Sequence, residues 1–445
     1  MKIHSKKILL LAFLITAGSS MAQTKELSMT QALQLAAKGN RVLQMQLLEN
    51  RKAAEAVKEA TSYLLPTVGL NSSYNIYAER PVIYLRNQAT TPKVNDIPFG
   101  GRFAFDGTVT ASYPILNPVI RSSIKLAGIN EAITKEEVNS TEEQLVLSIG
   151  QVYLAIIYHK EEKHLLEQSL LRNMRALKDS RSLFLQGKNL KTDTLSNFIS
   201  VQNLQAAISA LDNNIQVYAL QLKQVMGMEE EVQLVFTDSI NTESLQSPFS
   251  VPRDVFSIAL ENRKDIKIHS LKINETKELV VEIKATFKPQ LVAIAQYQLQ
   301  SQADNFRMKD YRLPRTSFTG VRLSIPIYSG GRLKHKEAQA VLGIKPSELS
   351  LTELKTKVET ELVSINSNLQ EAHKQWEIQM QNVAAAEISY AMMNDRYRHG
   401  LSTRLELSDA ELVLTKAKLN NLQSIYSIKI LELQLKKAMG VLQLN

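Results

Sequence analysis

The chain carries one string of motifs twice, and that duplication limits the folds open to it more than any other feature. Leu220-Gln-Leu-Lys-Gln-Val-Met-Gly227 returns as Leu433-Gln-Leu-Lys-Lys-Ala-Met-Gly440, 213 residues later, with six of eight positions identical. At that offset Gly187 falls on Gly400 and Asp193 on Glu406. Upstream, Ser112-Tyr-Pro114-Ile115 matches Ser324-Ile-Pro326-Ile327 at an offset of 212, and Leu65-Pro66-Thr-Val matches Lys288-Pro289-Gln-Leu at 223. Chance could give one such match but not four in order. The sequence therefore reads as two copies of one unit, residues 23–227 and 253–445, joined by a linker at 228–252 that holds Pro248 and Pro252.

Each copy repeats the same textures. A helix comes first, expected over 29–64 and again over 253–287, with Ser28 and Pro252-Arg-Asp254 as start signals. A strand pair follows, spanning 66–114 in copy one and 289–327 in copy two. Thr67 to Tyr77 sets Val68, Leu70, Tyr74 and Ile76 against Thr67, Asn71, Ser73 and Asn75. Phe103 to Tyr113, Leu291 to Gln300 and Thr319 to Ile327 alternate likewise, with Val292 and Ile294 blurring the third. Period-two alternation gives one wet and one apolar face. Strands of about 10–11 residues match tilted membrane strands rather than the usual five or six.

After each strand pair the breakers vanish. Residues 119–186 hold two glycines and no proline, and 68 helical residues would span roughly 100 Å. A turn is expected at Gly187 and at Gly400, each followed by a second helix that stops at Gly227 or Gly440. Leu204, Ile208, Leu211, Ile215, Tyr218, Leu222 and Val225 step by fours and threes, as do Ile428, Leu431, Leu435 and Ala438, which predicts antiparallel coiled-coil seams. Pro346 inside the second long helix is expected to kink or interrupt it.

Charge and composition exclude other classes. Lys2, Lys6 and Lys7 precede the apolar run Ile8 to Ala17 and the small-residue stretch Ser20-Met-Ala22, so residues 1–22 read as a signal peptide. Without them the net charge falls from +9 to about +6, which does not suggest nucleic acid. The absence of cysteine excludes disulfides, thiolate zinc sites, a cysteine nucleophile and a lipidated N-terminal cysteine. No His-Glu-x-x-His zinc motif is present, and Gly330-Gly331 lacks the Gly-Lys-Ser/Thr ending of a phosphate loop, so it reads as a strand-to-helix turn. Trp376 reads as a packing or interfacial residue. No catalytic, cofactor-binding or metal-ligating residues are nominated, and no enzyme is expected.

Strands in lipid cannot leave edges unpaired, and four strands cannot close a barrel whose smallest form has eight. The chain is therefore expected to oligomerise: three copies give twelve strands and a pore, whereas two give an eight-stranded barrel filled by side chains.

The duplicated order of helix, hairpin, long helix, turn and helix resembles the TolC family of outer-membrane efflux proteins. The most specific pieces are Leu65-Pro66 with Lys288-Pro289, Tyr113-Pro114 with Ile325-Pro-Ile-Tyr-Ser-Gly-Gly-Arg332, and Arg396-Tyr-Arg-His-Gly-Leu-Ser-Thr-Arg-Leu-Glu-Leu-Ser-Asp-Ala410. The resemblance implies a mainly α fold with transmembrane β, as a homotrimer in which a 12-strand outer-membrane β-barrel continues into a 12-helix periplasmic α-barrel. The linker 228–252 would lie at the tunnel's equator. It implies an exit duct of a tripartite efflux or type I secretion system, with a periplasmic adaptor protein, an inner-membrane pump and outer-membrane lipid as partners and no cofactor. The adaptor would dock at the turns of Gly187 and Gly400. Drug, metal ion and polypeptide all fit as cargo. The alternative is a periplasmic coiled-coil adaptor or scaffold protein of an export complex.

The family's gate pattern, Tyr-x-x-Gly followed by acids six and nine residues later, is met by Tyr397, Gly400, Glu406 and Asp409. Copy one meets it in part, with Phe184, Gly187 and Asp193 but Ser196 at the last place. The resemblance implies that Glu406 and Asp409 ring the closed pore and that Tyr397 and Asp193 belong to its lock. The family's arginine place is Ser402 here, with Arg404 as the substitute. Acids near a helix start also stabilise the helix dipole, an equally simple role for Glu406 and Asp193.

Overall fold

A computed structural model describes residues 24–86, 94–188, 190–228, 232–240, 254–307, 309 and 311–444. The expected signal peptide and most of the expected linker lie outside them. The described residues form two compact units. One comprises the chain up to Leu47 with Glu136–Lys267 and the residues from Glu353 onward; the other comprises Leu48–Lys135 and Ile268–Thr352.

The second unit holds a four-stranded antiparallel sheet of β2 (Thr67–Ile76), β5 (Phe103–Leu116), β7 (Gln290–Ala303) and β8 (Arg315–Ser324), in that order. The copies meet at β5 and β7, with Val109 opposite Tyr297 and Ala111 opposite Ala295. Register makes one face of the sheet apolar: Val68, Ala111 and Ala295 form one row, and Leu70, Val109 and Tyr297 the next. The opposite face carries the row Asn71, Thr108, Gln298 and Thr316. Two expectations shift here. The last strand ends before Pro326, which has no N–H for the ladder, and the inner strands β5 and β7 run to 14 residues. The β2–β5 connection also contains a hairpin that alternation did not reveal, β3 (Val82–Arg86) with β4 (Val94–Pro98).

In the first unit, β1 (Thr24–Leu27) pairs in parallel with β6 (Gln233–Phe236), so the expected linker contributes a strand. Leu27, Phe236, Ile149, Tyr153, Ile156, Leu222 and Met226 share one buried core. The Tyr153 hydroxyl lies 3.0 Å from the Leu27 carbonyl and 2.8 Å from Asp238 Oδ2, its one proton shared between the two acceptors.

The leading helix of each copy is two helices, not one. Copy one has α1 (Met29–Gly39) and α2 (Arg41–Ser62); copy two has α5 (Val255–Asn262) and α6 (Lys264–Ala285). The breaks fall on Asn40 and Arg263, with ψ of 119° and 127°. Each break is held by a side chain that bonds a carbonyl near the end of its copy's last helix. Asn40 Nδ2 donates to Val225 O at 2.7 Å, and Arg263 Nη1 to Ala438 O at 3.1 Å. Asn40 also caps α2 by accepting from Leu43 N at 2.8 Å. Gly39 fits there because a Cβ would stand 2.3 Å from Met226 O.

The long helices are α3 (Pro118–Leu185) and α7 (Arg332–Arg398), followed by α4 (Lys191–Met226) and α8 (Arg404–Ala438). The predicted seams are buried or half-buried along α4 and α8. Pro346 does not interrupt α7. The missing N–H removes one bond from a 67-residue helix, and Ser347 Oγ donates to Gly343 O at 3.3 Å one turn back. Among the described residues no helix is long and apolar enough to cross a membrane.

Candidate functional site

The two helical turns are built alike. Gly187 and Gly400 adopt φ of +68° and +73°, a region that strains residues with a Cβ. Lys188 N then reaches Leu183 O, and Leu401 N reaches Arg396 O, both at 2.8 Å. These bonds satisfy carbonyls left over at the end of α3 and α7, which is why each helix stops there. The turns present apolar side chains to solvent: Leu185, Leu190, Leu401 and Leu405 are 68–84% exposed.

The candidate gate residues take distinct positions. Thr403 caps α8 and Glu406 completes a capping box, its Oε2 accepting from Thr403 N at 2.7 Å while Glu406 N donates to Thr403 Oγ1 at 3.3 Å. The Thr403 backbone N–H holds the Glu406 carboxyl below the usual carboxylate range. Asp409 lies one turn further on, and both acids are exposed. Arg404 is brought onto Tyr397, its guanidinium carbon 5.9 Å from the ring centroid. Arg404 Nε and Nη2 are buried and meet no hydrogen-bond acceptor among the described residues. Asp193 sits half-buried in the first turn of α4. No hydrogen bond or ion pair among the described residues joins it to Tyr397 or Arg404, so within one chain only the tyrosine and arginine meet.

A polar node stands next to these residues that sequence reasoning missed. Glu411 on α8 is only 4% exposed, and its Oε1 accepts from Arg172 Nε at 2.9 Å and Asn173 Nδ2 at 3.1 Å on α3. The Arg172 guanidinium also lies 5.9 Å from the centroid of Tyr390 on α7. The Arg172 side chain thus ties α3, α7 and α8 together, and its partner Glu411 stands two residues from Asp409. Continuing the Ile428 seam backward through Leu414 and Leu407 would have found it, because Glu411 occupies a core position.

The family profile described as outer membrane efflux protein matches residues 32–228 and 255–441. The outer membrane efflux protein BepC of Brucella suis biovar 1 (strain 1330) is 21% identical over 436 residues, 97% of this chain and 89% of that protein. Among solved structures, the outer membrane protein VceC of Vibrio cholerae superposes with a TM-score of 0.71 at 17% identity, over 93% of this chain and 96% of that one. The open-state MtrE outer membrane channel of Neisseria gonorrhoeae gives 0.74 at 15% identity, over 94% and 90%. CusC, solved in a study of folding and transmembrane channel formation, gives 0.75 at 17% identity, over 93% and 92%.

Proposed function

The chain belongs to the outer membrane efflux protein family, and from that premise we propose that three copies assemble into one exit duct. Family and fold are those of efflux channels of the outer membrane, not of an enzyme.

The observation that carries the assembly is the sheet. It has an apolar face, a polar face and two edge strands, β2 and β8, whose outer edges meet no further strand among the described residues. Edge N–H and C=O groups in lipid demand a partner. The alternation of direction along β2-β5-β7-β8 continues when β8 of one copy meets β2 of the next. Three copies then close twelve strands around a lumen lined by the polar rows, whereas two would close eight around a plug of side chains.

The long helix pairs form the periplasmic tunnel. The exposed leucines at the turns of Gly187 and Gly400 suit a periplasmic adaptor that links the duct to an inner-membrane pump. Asp409, with Glu406 beside it, rings the narrow mouth and favours cations in transit. Arg404, stacked on Tyr397, takes the place of the family's gate arginine. Its two buried donors await an acceptor, and leaving them unpaired costs about 1–3 kcal/mol each, which supports an acceptor supplied by an adjacent copy when the mouth is shut.

The test is extraction and recording. Detergent-extracted protein is expected to migrate as a heat-modifiable trimer and to form cation-selective channels in planar bilayers. Release as a water-soluble monomer by osmotic shock would overturn the proposal and restore the adaptor alternative.

A further inference from the structure

At the end of the sheet away from the helices, the apolar face finishes in aromatic rings. Tyr74 and Phe103 lie on it, in register with Phe105 and Ile76. The β7–β8 connection adds Phe306, whose ring is 5.8 Å from Phe103 and 6.0 Å from Tyr74, and Tyr311, whose hydroxyl is 3.0 Å from that of Tyr74. Phe306 nevertheless remains 71% exposed. Such rings suit the boundary between acyl chains and headgroups, where one side of the ring is apolar and the hydroxyl wet.

The charge around them is lopsided. Residues 77–102 hold four Lys/Arg against two acids, and residues 304–315 hold Arg307, Lys309, Arg312 and Arg315 against two. These two connections therefore carry +4 of the roughly +6 left to the chain after its first 22 residues. Asp304 is already taken by Arg80 at 3.0 Å. Arg307, Lys309, Arg312 and Arg315 are exposed and form no ion pair among the described residues. Arg315 pairs with Leu299 in the β7–β8 ladder, so it emerges on the same face as Tyr297 and Leu291. A cation rooted on an apolar face reaches back to the headgroup layer, with its methylene stem packed along the hydrocarbon.

We propose that this patch binds a phosphate-bearing anionic lipid of the outer leaflet. The aromatic cluster takes the acyl end, and the four cations take the phosphates. Guanidinium groups match phosphate oxygens in bidentate fashion, which a zwitterionic headgroup with its own cation satisfies poorly. The inference rests on the reading of the sheet as a barrel wall facing lipid.

The experiment uses the full-length assembly in nanodiscs of phosphatidylcholine, doped with a diphosphorylated glycolipid of the lipid A type. Retention is read by native mass spectrometry and by the thermal midpoint of the assembly. The doped lipid is expected to be retained at least tenfold over phosphatidylcholine and to raise the midpoint, an effect that fades at high salt. Arg307→Gln, Lys309→Gln, Arg312→Gln and Arg315→Gln together are expected to abolish it. Lys334→Gln with Lys336→Gln, outside the patch, are expected to leave it intact. Equal retention of the two lipids, or an unchanged quadruple variant, would overturn the inference. So would an equal shift produced by inorganic phosphate alone, which would make the patch a free-anion site. Conductance is recorded from the same preparation. Its absence with lipid preference intact would count against the channel reading and leave this surface standing.

Discussion

Removing the Glu411 carboxylate tests whether the missed node holds the helices around the candidate mouth. Taking away one member of a buried ion pair costs about 3–5 kcal/mol, because the other charge is left uncompensated. Two features of this structure reduce that figure. The Arg172 side chain is 28% exposed, so water recovers part of its charge, and Asn173 Nδ2 keeps its bond to Ser169 O at 3.0 Å. Glu411→Ala is therefore expected to destabilise each chain by about 2–3 kcal/mol. Glu411→Gln retains an acceptor and loses only the charge, so about 1 kcal/mol is expected. Urea unfolding of the full-length protein in detergent, with Arg172→Gln and the double variant completing a cycle, should give a coupling of at least about 1 kcal/mol. The same variants should raise closed-state leak current in bilayers, because α8, which carries Asp409, is no longer tied to α3. Single variants within about 0.5 kcal/mol of the parent, the usual range of surface substitutions, or strict additivity would refute the reasoning.

Three further outcomes follow from the geometry. Asp409→Asn is expected to lower the cation-over-anion permeability ratio more than Glu406→Gln, because one Glu406 oxygen is engaged by Thr403 N; reversal potentials under a salt gradient measure this, and an unchanged ratio in the double variant removes both from the pore. Gly227 and Gly187 share φ of +69° and +68°, so alanine at either costs about 1–2 kcal/mol for the backbone alone. A Cβ at Gly227 would also stand 2.0 Å from Gly39 O, whereas at Gly187 nothing lies within 4 Å. Gly227→Ala should thus lower the thermal midpoint well beyond Gly187→Ala, and equal effects would deny the close approach. Burial alone would raise the Asp265 carboxyl, but Arg263, with Nη2 2.8 Å from Oδ2, brings it below the usual carboxylate range. A depressed acid stabilises the fold above its unfolded pKa of about 3.9 and loses that contribution as pH falls through the folded value. Stability should decline with acid below about pH 4–5 in the parent, and less steeply in Asp265→Asn.

The elements legible in the sequence were those whose chemistry is local. The turns at Gly187 and Gly400 needed only a glycine after a long breaker-free run, and the sheet needed only alternation. The helix breaks were illegible for a specific reason. Asn40 and Arg263 stand at the offset of 223 that relates Pro66 to Pro289, yet their types differ, so no repeated letter marked them. What they share is the acceptor, Val225 O and Ala438 O, which are themselves 213 apart. The β1–β6 pair joins residues more than 200 apart through four parallel positions, with no hairpin turn to announce it. Glu411 carries the letter of one more acid on a charged helix, and only its place on the Ile428 seam, continued through Leu414 and Leu407, marks it as buried; its partner Arg172 on another helix leaves no mark in the local pattern.

The two copies share a scaffold but divide the chemistry unequally. β5 and β7 join the copies through the middle of the sheet, so the pair is complete inward and open at both edges. In the proposed trimer a ring of such pairs would alternate copy one and copy two, with only the copy-two helix pair of each chain placed at the narrow mouth. Copy two has the full gate pattern: Tyr397, the capped Glu406, Asp409, and Arg404 with donors unspent. Copy one has Phe184 and Ser196 at the matching places, and the N-cap of α4 is Leu190, whose apolar side chain makes no capping hydrogen bond. If α7 and α8 line the constriction, moving the acid at Asp409 to its counterpart, by Asp409→Ser with Ser196→Asp, should leave net charge unchanged and still remove cation preference. Selectivity retained in that exchange would place both copies equally at the mouth and dissolve the asymmetry.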